Sequence, residues 1–147
     1  MPKTTSTLTL DDAKKIIAGI FAKGAELSLK PLCAVVLDAG GHTIAVERQD
    51  GASFFRPEVA TGKAFGALSL GIGSRAIYNR AEQQAYFVTA INGLAGGNFV
   101  PVPGGVLIRD DNGNLIGAAG ASGDTSDNDE AAVVAGIEAA GLTAETG

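Results

Sequence analysis

The sequence predicts an α+β domain, an antiparallel β-sheet flanked by helices. Three observations lead there. Twice the chain runs through an apolar segment, a short turn and a returning segment: 32-LCAVVL-37 to 42-HTIAVERQ-49, and 106-VLIRD-110 to 114-NLIGAAG-120. A return over so short a connection makes an antiparallel pair. Helical patterns precede, separate and follow these two hairpins, so helices must pack on the faces of the sheet. Finally, 21 glycines and only 5% aromatic residues point to tight turns and elements packed through small side chains.

The first helix is marked by Thr9 as its cap, with Asp11 and Asp12 in the first turn where carboxylates complement the helix dipole. Ile16, Ile17, Ile20 and Phe21 recur at helical spacing, and the helix ends between Gly24 and Lys30, before Pro31. The first hairpin turns on Asp38-Ala39-Gly40-Gly41, and Asp50-Gly51 marks the turn after it. Pro57 suits the first position of a second helix, with Glu58 behind it. That helix carries Ala60, Ala64, Ala67 and Gly71 along one side, a stripe that lets another backbone come close. A shorter third helix is expected over about 81–91, then a loop over 92–105. Asn112-Gly113 gives a two-residue hairpin signal between the last two strands. The segment 120-GASGDTSDNDE-130 leads into a final helix bearing Val133, Val134 and Ile137. Neither a repeat nor a linker interrupts the chain, so one domain over 1–147 is expected.

Composition narrows the function classes. Apolar residues make up 46% and charged residues 18%, which is not a disordered composition. The net charge is −5 with no basic cluster, arguing against nucleic acid as a partner. The longest uncharged run, Gln83 to Ile108, is broken by glutamines, asparagines, prolines and glycines and does not suit a membrane span. The N-terminal residues lack the apolar core of a secretory signal, so a cytoplasmic protein is expected. Cys33 alone excludes an internal disulfide; at the start of an apolar strand it suits the core better than nucleophilic work.

Several constellations invite a chemical reading. The stretch 117-GAAGASG-123 lacks the dinucleotide spacing and reads as a tight strand-to-helix connection. The helix entry there, with Ser122 and Gly123, offers backbone N–H groups to a carboxylate. The acids of 124-DTSDNDE-130 lack the spacing of a calcium loop and suit helix capping, so no metal site is expected. His42, the single histidine, excludes a histidine-rich metal site and sits at a turn, which does not favour it as a haem ligand. Tyr78 and Tyr86 read as packing residues, and Arg48 as either a surface ion pair or a carboxylate clamp.

Lys63 is the most unusual residue. Positions 59, 60, 66 and 67 around it are Val, Ala, Gly and Ala, whereas an exposed helical lysine has charges at such spacings. A low-dielectric setting depresses a lysine pKa or demands an anionic partner. Two readings stand: a ligand contact, or a stem along apolar surface with its ammonium at the rim or across a subunit interface.

Three stretches together resemble the GlcG/HbpS family, which includes the C-terminal domain of PduO-type proteins. They are 35-VVLDAGGHTIAVERQDGA-52, 59-VATGKAFGAL-68, and 103-PGGVLI-108 with 117-GAAGASGDTSDNDEAAVVAG-136. Leu107 departs from the proline of the family's G-G-x-P-I strand. The resemblance implies a profilin-like layered sandwich assembled into symmetric homo-oligomers, with haem bound by some members. Fold does not settle activity.

Two functions follow as expectations. The first is a small-ligand-binding protein for haem, another tetrapyrrole or a carboxylate metabolite. Its pocket is expected along 98-NFVPVPGG-105, with Asn98, Phe99, Pro103, Gly104 and Gly105 as wall and Lys63 or Arg48 as the cation. The second is a cofactor-independent isomerase, lyase or hydrolase of a small oxygenated metabolite. There Lys63 is the base, paired with Asp129 or Glu130 as the acid.

Overall fold

In the computed structural model, residues 7–147 are described; the first six positions of the expected domain lie outside them. Helix α1 (Leu10–Glu26) leads into β1 (Cys33–Asp38) and β2 (Thr43–Arg48). Three helices follow: α2 (Arg56–Leu70), α3 (Ser74–Gln83) and α4 (Ala85–Leu94). Then come β3 (Gly105–Arg109), β4 (Leu115–Ser122), α5 (Ser126–Ala139) and β5 (Thr143–Glu145). The five strands form one antiparallel sheet in the order β2-β1-β4-β3-β5. The α+β expectation holds.

The sheet is covered on both faces, and strand alternation decides which residue meets which helix. Ala34 and Val36 of β1 point into a core with Ile16, Ile17 and Ile20 of α1 and Val133 and Ile137 of α5. Their neighbours Val35 and Leu37 point the other way, onto Ala60, Ala64 and Ala67 of α2. Full burial of each isoleucine contributes about 1.5–3 kcal/mol, so the first face carries most of the apolar stabilisation. The second face is thinner because α2 lies almost backbone against backbone on β3 and β4. A Cβ at Gly105 would collide with the Lys63 carbonyl, and one at Gly120 with the Ala60 carbonyl. That close approach is what the small-residue stripe permits.

Both hairpins are built alike. Asp38 and Asp110 each accept two backbone N–H groups of their own turn on one carboxylate oxygen. Each turn has three residues between the paired positions, with Gly41 and Gly113 at φ 83° and 81°. The Asn112-Gly113 connection is therefore one residue longer than the two-residue form predicted, and Asp110 is the reason, since it closes the turn on Asn114.

Two elements differ from the sequence expectation. The single helix over 81–91 is two helices, broken at Gln84 where φ is −139° and ψ 63°. Helix α3 has no apolar repeat to reveal it, since of its apolar side chains only Ile77 is buried. Strand β5 was not foreseen; it extends the sheet beyond β3, pairing Leu107 with Glu145 and Arg109 with Thr143.

Candidate functional site

Helix α2 presents two faces of different chemistry. Residues seven apart lie on nearly the same side of a helix, so Arg56 and Lys63 share the side turned to the ends of β4 and α5. The other side, with Pro57, Val59 and Phe65, borders a cleft.

Lys63 is buried, with side-chain exposure of 3%, and meets an anion inside the same chain. Its Nζ donates to Asp129 Oδ2 at 3.0 Å and to the Ala121 carbonyl at 3.0 Å. Asp129 is 1% exposed, and its other oxygen accepts the Asp124 N–H at 2.9 Å. Gly104 lies flat against the lysine; a Cβ there would stand 2.9 Å from both Cδ and Nζ. Burial draws the Lys63 ammonium below the ordinary lysine range and pushes the Asp129 carboxyl up, each charge opposing the other's shift. The ammonium therefore does not reach a rim. It ties α2 to β4 and α5.

Glu130 is held elsewhere. Both of its carboxylate oxygens accept from Arg75 Nε at 3.1 Å, fastening α5 to the start of α3, and Asp127 shares the same guanidinium. Of the two acids considered as partner of Lys63, the geometry brings Asp129.

The stretch expected to line a pocket is divided. Asn98 is exposed on the cleft, whereas Phe99 is buried and meets the Phe65 ring edge-on at 6.2 Å. Pro103, Gly104 and Gly105 are buried, the two glycines against Lys63 and the Gly105 N–H donating to Ser74 Oγ at 2.7 Å. Ser122 is fully buried and accepts from Arg56, and Gly123 presses on Pro31 and Leu32. Arg48 is exposed at the far end of β2, donating to the Ala52 carbonyl at 2.7 Å beside a separate groove of about 590 Å³. It does not join Lys63.

The cleft measures about 580 Å³ and is walled by Phe55, Pro57, Val59, Phe65 and Val100, with Glu58 and Asn98 as polar edges. That volume lies within the roughly 300–1,000 Å³ of small-molecule sites. The β1–β2 turn passes near Phe65, since a Cβ added at Gly41 would stand 3.6 Å from its ring, but no residue of that turn lines the cleft. His42 follows directly. Its ring Nδ1 is 3.2 Å from Asp38 Oδ1 and its side chain is 81% exposed.

Arg56 was not singled out in the sequence. Its Nε donates to Ser53 Oγ at 3.2 Å and its Nη1 to Ser122 Oγ at 3.1 Å. The available signal was its position two turns before Lys63, immediately ahead of Pro57. Burial pushes the Cys33 thiol up to about 11, which suits a core residue rather than a nucleophile. Among the described residues, no three His, Cys, Asp or Glu side chains are grouped to hold a metal ion, and no helix is long and apolar enough to cross a membrane.

Comparison with known proteins adds relatives. A family model described as haem degrading protein HbpS-like matches residues 8–138. An uncharacterised 15.0 kDa protein from the dhaT–dhaS intergenic region of Citrobacter freundii is 32% identical over 126 residues, 84% of this chain and 85% of that protein. Among solved structures, the Klebsiella pneumoniae protein ORFY superposes with a TM-score of 0.84 at 23% identity, covering 95% of this chain and 94% of the other. A PduOC–haem complex gives 0.82 at 22% identity, covering 92% and 96%. A double mutant of Streptomyces reticuli HbpS gives 0.77 at 23%, covering 92% and 88%. At these identities the solved structures share the fold.

Proposed function

The chain belongs to the HbpS-like family, and from that premise we propose that it is a small-ligand-binding protein whose ligand is haem or a similar carboxylate-bearing tetrapyrrole. The observation that carries this reading is the cleft beside α2, with apolar walls from Phe55, Pro57, Val59, Phe65 and Val100. A relative of the same fold was solved as a haem complex, which supports the same class of ligand.

The apolar walls fit the macrocycle of such a group. A flat macrocycle needs apolar surface, which these walls supply. Its iron needs a donor; His42 is not among the cleft-lining residues, which offer the side-chain oxygens of Glu58, Thr61 and Asn98. When bound, haem supplies ligand exchange and redox chemistry at iron. The chain's own part is to exclude water with the Phe55 and Phe65 rings and to orient the ring through the cleft edges.

Self-association completes the proposal. Helix α4 has a single buried residue, Val88, while Tyr86 and Leu94 are 73% and 87% exposed. Phe54, the chain neighbour of the cleft residue Phe55, is 84% exposed. So much uncovered aromatic and aliphatic surface suits contact with further copies of the chain. The alternative, catalysis without cofactor at Lys63, has its base and acid at 3.0 Å, yet both lie at 3% exposure or less. A substrate would have to part α2 from β4 to reach them, and binding in the open cleft is the reading we adopt.

Native mass spectrometry with and without added hemin tests the proposal. We expect a homo-oligomer that gains the mass of haem at a fixed ratio per subunit, accompanied by a shifted Soret band. An oligomer that stays empty at saturating hemin contradicts the tetrapyrrole reading and directs the search to small hydroxy- and keto-acids.

A further inference from the structure

We propose that the Glu58 carboxylate meets the iron of bound haem while the propionates face out of the cleft; the inference rests on occupancy of the α2 cleft by a tetrapyrrole. Among the residues that line the cleft, Glu58 is the only charged one, and none is a lysine, arginine or histidine. The other polar side chains of the lining, Thr61 and Asn98, are neutral. At about 3.6 residues per turn, Glu58, Thr61, Gly62 and Phe65 fall on one side of α2, opposite Arg56 and Lys63. The facing wall is held close to that side. The Val100 N–H donates to the Gly62 carbonyl at 3.2 Å, and a Cβ at Gly62 would collide with the Val100 side chain.

The Glu58 carboxylate is uncommitted. Its residue is exposed, and among the described residues no cation forms an ion pair with it, in contrast to Asp127, Asp129 and Glu130. The first turn of a helix favours an acid for its dipole alone, but that does not call for an acid bordering an apolar cleft without cations. Asn98 is partly committed, since its Nδ2 donates to the Ala95 carbonyl at 2.7 Å. Ferric iron in a porphyrin dianion keeps one positive charge, so an anionic oxygen matches it better than a neutral hydroxyl or amide oxygen. The propionates find no cation in this lining, and Glu58 repels them, so they are better placed toward water.

Hemin and protoporphyrin IX separate recognition of the iron from packing of the ring, since they share the macrocycle and the propionates. Titrations of wild type, Glu58→Gln and Glu58→Asp with both probes form the test, with thermal melts as the folding control. We expect wild type to bind hemin at least about tenfold more tightly than protoporphyrin IX. Glu58→Gln should lose that preference while holding protoporphyrin IX as before, and its ferric electron paramagnetic resonance signal should change. Glu58→Asp should keep part of the preference. Equal affinity of wild type for both probes overturns the iron contact and leaves tetrapyrrole binding standing. So does a Glu58→Gln variant that keeps the hemin preference, because another group then holds the iron. A variant that weakens on both probes alike also overturns it, marking a structural glutamate. Binding of neither probe removes the tetrapyrrole reading and the iron contact with it.

Discussion

Two cations stand two turns apart on one side of α2, and their partners differ. Lys63 meets a buried carboxylate and a backbone carbonyl, and both oxygens of Asp129 have donors in turn. Arg56 meets two hydroxyls. An ion removed from water must be matched by charge and hydrogen bonds, or its burial costs several kcal/mol. At Lys63 the charge is matched by Asp129, and two of the ammonium's three N–H donors have acceptors within the chain. At Arg56, at the edge of the fold, charge and donor capacity are left over. The cation in the most unusual sequence environment is thus the one the fold has closed, and the one with capacity to spare sits in an ordinary one.

Removing one half of the closed pair should have the largest effect. Asp129→Ala leaves a buried ammonium without its anion, and about 3–5 kcal/mol of stability should be lost in urea unfolding. Replacing both members, as Lys63→Met with Asp129→Leu, should regain most of it. If the double variant is no better than the single, the pair is not the closed unit described.

A smaller loss is expected where the backbone makes room for Lys63. Gly104→Ala sets a methyl 2.9 Å from Cδ and Nζ at a φ of +122°, and about 1–3 kcal/mol should be lost. Smaller again is Ser122→Ala. It removes one hydrogen bond to Arg56, so stability should fall by only about 0.5–1.5 kcal/mol.

The smallest effect belongs to a half-buried acid. Hydrogen bonds from Asn128 first, then from the Lys30 and Thr125 N–H groups, hold Asp124 down at about 2. A carboxylate whose folded pKa is depressed stabilises above its unfolded value, and that contribution disappears as pH falls through the folded one. Wild type should therefore lose stability from about pH 4 toward pH 2, and Asp124→Ala should show a shallower acid limb. Parallel limbs would mean that these hydrogen bonds do not survive in solution.

Much of this arrangement was legible in the sequence where the signals are local. Thr9 with Asp12 forms the cap of α1, and Ile16, Ile17 and Ile20 give the apolar repeat behind it. Both hairpins announced themselves through aspartate and glycine. Helix α3 did not, because SRAIYNRAEQ has little apolar surface to bury, and β5 is a three-residue strand whose partner lies 36 positions away. The anomaly of Lys63 was visible in its uncharged neighbours, but its partner is 66 residues distant, and only the fold brings Asp129 to it. Arg56 escaped notice for the converse reason: its neighbours are unremarkable, and its lack of an anion is a three-dimensional fact.

The most direct test asks whether the buried cation meets the ligand. Hemin affinity is measured by Soret titration for wild type and for the Lys63→Met/Asp129→Leu double variant, after a cooperative melt shows that the variant folds. The double variant should bind within about twofold of wild type. A double variant that folds and loses hemin contradicts the account, because Lys63 would then be the cation that meets the ligand.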